Sequence, residues 1–122
     1  MLSRRHLRVK VLQSVYAYYQ AGNSDLHQGE KQLLLSINKL FELFIWQCSF
    51  LIEATRFAEN RIEDNKKKHF PTEDDLNPNL RFVKHGILNT LSDNIQFRKF
   101  ENLYKVNWGE EQEIVRRFFQ FL

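Results

Sequence analysis

From Gln32 to Ile62 the chain repeats apolar residues at helical spacing: Leu33, Leu34, Ile37, Leu40, Phe41, Phe44, Leu51, Ala54, Phe57 and Ala58. Steps of three and four put these side chains on one face of a helix. Leu43, Ile45, Trp46, Phe50 and Ile52 carry apolar character around most of the circumference. A helix of that kind is buried on several sides, or it turns one face to a partner. Run unbroken from 30 to 66, it would be about 55 Å long at the usual rise per residue. That exceeds the width of a compact domain of this size, so the helix is predicted to project, bend or break. Gly and Pro total only six in 122 residues, few for a fold with many turns. The predicted class is therefore all-α: a bundle of about five helices with one long member, in a single domain over residues 1–122.

The other segments read as shorter helices. Ser3 is placed to cap a first helix running to about Gln20, with Leu7, Val11, Val15 and Tyr18 on one face. Leu12, Tyr16 and Tyr19 widen that face, which predicts a well-packed helix. Gly22-Asn23-Ser24 ends it. Asp25 and Gln28 form a D-x-x-Q start for the long helix, which Gly29 in its first turn could delay. Phe70 is expected to anchor the following connection to the core. Pro71 stops the long helix, and Thr72 with Asp75 resembles a capping box. A third helix is expected from Asn79 to Leu91, with Leu80, Val83, Ile87, Leu88 and Leu91 inward. Asp93 opens the next, carrying Ile95, Phe97, Phe100 and Leu103. Asn107 and Glu110 suggest a last capping box before Ile114, Val115, Phe118, Phe119, Phe121 and Leu122. An apolar ending of this kind is unusual. It suggests either the N-terminal part of a longer chain or a homo-oligomer formed through the exposed C-terminal helix.

Charge is distributed unevenly. The chain has 18 Lys+Arg against 15 Asp+Glu, and four of the basic residues, Arg4, Arg5, Arg8 and Lys10, fall in the first ten positions. No acid occurs before Asp25, so residues 25–122 hold 14 basic against 15 acidic groups. The whole positive excess belongs to the first helix. Arginines in a first helical turn oppose the helix dipole by a few tenths of a kcal/mol each. Arginine forks, unpaired backbone N–H groups and the dipole together favour phosphate, which points to a polyanion. The bland alternatives are a solvated basic face and a mitochondrial presequence. Lys66-Lys67-Lys68 suits the C-terminal end of a helix dipole, with a second polyanion contact as the alternative.

Chemistry is sparse. No phosphate-binding glycine loop and no nucleophile-elbow motif occurs. His6, His27, His69 and His85 stand in separate segments, and the lone Cys48 offers neither a disulfide nor a zinc set. Cys48 sits in the most apolar stretch with no cation nearby, as a structural thiol would. The acid clusters lie at helix ends. The expectation is a non-enzymatic protein without metal or cofactor. No uninterrupted apolar run of membrane length and no secretory segment is seen, so a cytoplasmic location is expected.

The stretch Arg4-Arg5-His6-Leu7-Arg8-Val9-Lys10-Val11-Leu12-Gln13-Ser14-Val15-Tyr16 resembles the opening helix of NusB-type transcription antitermination factors. That helix typically reads R-R-x-A-R-x-x-A-hydrophobic-Q-A-L-Y. Arg4, Arg5, Arg8, Gln13 and Tyr16 match in identity and spacing; Val11, Leu12 and Val15 match in character. Leu7 and Ser14 replace two alanines, changes that alter packing rather than charge. The motif covers about 15 residues. Arg61 to Phe82 looks like the extended NusB-like proteins of Bacteroidetes-type bacteria, in which an enlarged N-terminal helical part precedes the usual C-terminal half.

The resemblance implies an all-helical RNA-binding factor that takes boxA-type single-stranded RNA with a ribosomal small-subunit protein. It implies a role in helping RNA polymerase read through terminators. By position, Arg4, Arg5 and Arg8 would contact phosphate or base edges, with Lys10 and Gln13 as further RNA-binding candidates. Tyr16 would either stack on a base or pack in the core. Two other functions fit the sequence: a helical scaffold docking a protein through Phe41, Phe44 or Trp46, and the NusB-like N-terminal domain of a ribosomal RNA methyltransferase.

Overall fold

A computed structural model describes residues 2–22 and 24–121. Met1, Asn23 in the expected helix stop, and Leu122 in the apolar ending lie outside the described residues. The chain is all-α, with six helices and no strand among those residues. They are α1 (Arg4–Gln20), α2 (Leu26–Lys66), α3 (Glu73–Leu76), α4 (Gly86–Asp93), α5 (Ile95–Tyr104) and α6 (Gln112–Phe121). The long helix neither breaks nor stops early, and α2 keeps helical hydrogen bonding for 41 residues. The structure divides into two compact units within α2, Met1–Phe44 and Ile45–Leu122.

The first unit pairs α1 with the first part of α2. Ser3 caps α1 as expected, its hydroxyl accepting from His6 N–H and sharing a 2.8 Å hydrogen bond with His6 Nδ1. Gly22 ends the helix at φ +60°, and its N–H donates to the Tyr19 carbonyl. Asp25 Oδ1 accepts from the N–H groups of His27 and Gln28, so α2 starts at Leu26 without delay. Gly29 does not weaken that start; it admits a neighbour. A Cβ built on it would stand 2.9 Å from Cδ2 of Tyr18, so the missing side chain is what lets the tyrosine ring lie against α2.

In this unit the expected packing of α1 fails. No residue of α1 is buried. Leu12, Tyr16 and Tyr19 are 70%, 66% and 77% exposed. Periodicity was sufficient to form the helix, but a two-helix hairpin has only one seam, and Tyr18 takes it.

The second unit holds the core. Ala54 and Val115 are fully buried, and Ile45, Ala58 and Phe97 nearly so. Thr55 and Ser49 are also buried, and the Thr55 hydroxyl donates to the Leu51 carbonyl one turn back. Aromatic rings join α2 to the C-terminal segment. Phe50 meets Trp108 at 5.1 Å and Phe118 at 5.2 Å between ring centroids. Trp46 meets Trp108 at 5.3 Å, and Phe57 meets Phe119 at 5.2 Å. The first three pairs are edge-on and add about 1 kcal/mol each beyond their area; Phe57 and Phe119 are tilted at 32°. Small residues at Ala54 and Ala58, on the same stripe as Phe50 and Phe57, leave room for that layer. Cys48 is half-buried, and burial pushes its thiol pKa up, as suits an unreactive position.

Thr72 and Asp75 form the predicted capping box around α3, with reciprocal bonds of 3.2 and 3.1 Å. Phe70 does not anchor the connection; it is 85% exposed and meets the ring of His69 edge-on. The third helix begins at Gly86 rather than Asn79, because residues 80–85 close as turns through Lys84 N–H to the Leu80 carbonyl and His85 N–H to the Phe82 carbonyl. Ile87, Ile95 and Leu103 face out, at 71%, 72% and 68% exposure. Asn94, not Asp93, caps α5. Asn107 folds onto Gly109 N–H, and α6 starts later, at Gln112.

Candidate nucleic-acid interface

The arginines of α1 stand in solvent. Arg4, Arg5 and Arg8 are exposed, and none of them forms a salt bridge among the described residues. No acid lies in the first turn of the helix. The guanidinium groups are therefore free to take an external anion. The N–H groups of the first helical turn have no intrahelical acceptors, and Ser3 satisfies only that of His6. This end of α1 thus gathers three planar cations and a positive dipole end.

At about 100° per residue, Arg4, Arg8 and Arg5 fall within roughly a third of the helix circumference. Leu12, Tyr16 and Tyr19 lie in the same sector, further along the axis. One stripe of α1 therefore runs from arginines to exposed aromatic rings. Cations followed by open rings suit single-stranded nucleic acid, whose phosphates pair with arginine and whose bases stack on aromatics.

The five expected RNA-binding residues are not all brought together. Lys10 and Gln13 sit roughly 120° to 180° around the helix from the middle of that stripe. They line a separate groove of about 380 Å³ between α1 and α2, with Ser14, Tyr18, Gln28 and Gln32. Lys10 is half-buried there. Arg4, Arg5 and Arg8 share one face of α1, and Lys10 and Gln13 belong to another.

Tyr19 is not among the RNA-binding residues that the sequence suggests, and Tyr16 fits either a base or the core there. The stripe could have been read from Arg8, Leu12 and Tyr16, which step by four along the arginine side. Periodicity alone instead puts Leu12, Tyr16 and Tyr19 on a widened core face.

The second unit has a polar cleft of about 430 Å³, lined by Glu53, Arg56, Arg98, Glu101, Asn102 and Trp108 among others. Glu53 accepts from Gln112 Nε2 at 2.8 Å and pairs with Arg56 at 3.5 Å, so much of its charge is satisfied internally. The Trp108 indole N–H is buried without an acceptor among the described residues. No cluster of three metal-ligating side chains occurs among those residues. One stretch of α2 is long and apolar enough to cross a membrane, at a mean hydropathy of 1.3, although polar positions interrupt it. It includes the ion pair of Lys39 with Glu42, and Ile45 and Ser49, which are buried in the second unit.

Comparison with protein-family models, with curated proteins and with solved structures found no match to this chain.

Proposed function

We propose that this protein is a non-catalytic RNA-binding factor of the transcription antitermination type, taking boxA-type single-stranded RNA through α1. The stripe of unpaired, exposed Arg4, Arg5 and Arg8 leading to exposed Tyr16 and Tyr19 carries the reading. The arginines bind phosphates as bidentate forks. The tyrosines offer ring faces to unstacked bases, at about 1–3 kcal/mol per stacked base. Such a site binds and orients a strand; it needs no nucleophile, metal or cofactor. On the same reading, a ribosomal small-subunit protein and the RNA polymerase complex are partners, and the cytoplasm is the compartment.

The stacking half separates this function from simple polyanion binding. A boxA-like RNA oligonucleotide is titrated, single-stranded and as a duplex, into wild-type protein and a Tyr16→Ala, Tyr19→Ala variant. Wild type prefers the single strand, and the variant loses most of that preference while keeping duplex affinity. Equal losses for both forms would overturn base stacking on this face.

A further inference from the structure

The hairpin of α1 and the first part of α2 leaves a broad apolar face in water, on the side of a groove of about 330 Å³ that includes Val15, Tyr19, Leu26 and Leu33. Leu12 and Tyr19 of α1 share this side with Leu26, Leu34 and Phe44 of α2, whereas Tyr16, roughly 160° around α1 from Tyr18, points away from the seam. These five are between 55% and 77% exposed. With aromatic side chains of about 200 Å² and leucines somewhat smaller, they leave roughly 600 Å² of side-chain surface uncovered. That is at the upper end of the roughly 300–600 Å² of the largest patch on a typical monomer and about three quarters of the roughly 800 Å² that each partner contributes to a standard interface.

Charge on this face is arranged end to end. Arg4, Arg5 and Arg8 mark the end where α1 begins. Asp25 and Glu30 mark the opposite end, at the turn into α2, with Glu30 lining the groove itself. Glu30 has no ion pair among the described residues. A twofold axis across the helices would lay the arginine end of one copy on the acidic end of the other. It would also keep the two arginine clusters apart.

We propose that this face is covered by the same face of a second copy, two antiparallel hairpins closing into a four-helix bundle. Such an interface is isologous, so both the area and the charge complementarity are met by one surface. The pairing does not rest on the RNA reading. Because it would engage the arginine end, RNA and the second copy compete for it.

Sedimentation equilibrium of the full chain across a wide concentration range tests this without RNA. Wild type is a dimer. Leu34→Glu weakens association roughly thirtyfold or more, the loss that marks a central interface residue. Leu35→Glu leaves it unchanged, since Leu35 is 50% exposed but projects from the other side of α2. Glu30→Arg weakens the dimer, and adding Arg8→Glu restores it. Circular dichroism confirms that each variant is folded. A monomer at all concentrations, a dimer indifferent to Leu34→Glu, or a monomer that instead binds phosphatidylcholine vesicles would each overturn the proposal.

Discussion

Replacing Gly29 by alanine sets two effects of opposite sign against each other in neighbouring helices. Within α2 alone the change is favourable, because alanine in a helix interior gains about 1 kcal/mol over glycine. Between helices it is unfavourable. The new Cβ would stand 2.9 Å from Cδ2 and 3.2 Å from Cε2 of Tyr18. These atoms run along one edge of the ring, so the whole ring must move, not merely its tip. Overpacking of this kind costs about 1–3 kcal/mol. Tyr18 fills the seam, and no residue of α1 is buried to hold the helix otherwise. The clash should therefore win, loosening the docking of α1 by about 1–2 kcal/mol, a factor of roughly 5 to 30 in its opening equilibrium. Amide hydrogen exchange reads the two effects separately. Exchange across α1 should speed up by that factor, while exchange in the first turns of α2 slows or holds. Unchanged exchange in α1 would refute the close approach of Tyr18 as what holds the hairpin together.

The remaining predictions concern the second unit. Val115→Ala deletes two methyl groups from a fully buried site and should cost roughly 2 kcal/mol, read as a lower urea midpoint at unchanged slope; a loss under about 0.5 kcal/mol would mean α6 is not packed on the core. Asp75 has its pKa lowered, chiefly by the hydrogen bond it accepts from Thr72 N–H, with further help from the Thr72 hydroxyl and Lys68. A carboxylate with a depressed folded pKa contributes stability above its unfolded pKa and loses it as pH falls through the folded value. The α3 cap should thus loosen only on the acid side of the ordinary carboxylate range, and Thr72→Ala should move the Asp75 titration upward by NMR; an unmoved titration would contradict the capping box. Burial of Cys48 should make it react with an exposed-thiol reagent more slowly than a free cysteine at neutral pH, and an equal rate would contradict its placement.

Much of the fold was legible because caps and breakers act locally. Ser3, Asp25 and the Thr72–Asp75 box each bond to backbone within three residues, so their helices start as read. Asn107 shows the limit of that logic. The same side chain can cap a helix or close an Asx turn on the residue two places on, and here it takes Gly109. Burial was less legible, because periodicity names a face without naming what covers it. Leu12, Ile87 and Leu103 sit at core spacing and stand in water, whereas Phe50, Phe118 and Trp108 found one another across distant segments. In the site, the arginines were plain from charge alone. The separation of Lys10 and Gln13 from them follows from helical spacing as well, but that they line the groove against α2 needed the helix contact.

Arginine contacts to phosphate release counterions, so the salt dependence of affinity counts them. Three contacts on a single strand give a slope of log K against log salt near −2, about a twentyfold loss of affinity for each fourfold rise in salt. The deciding measurement is that slope for a boxA-like single-stranded RNA, in wild type and in an Arg4→Ala, Arg5→Ala, Arg8→Ala variant. Wild type should show the full slope, and the variant should bind weakly with a slope near zero. Equal affinities and equal slopes would contradict RNA binding through α1.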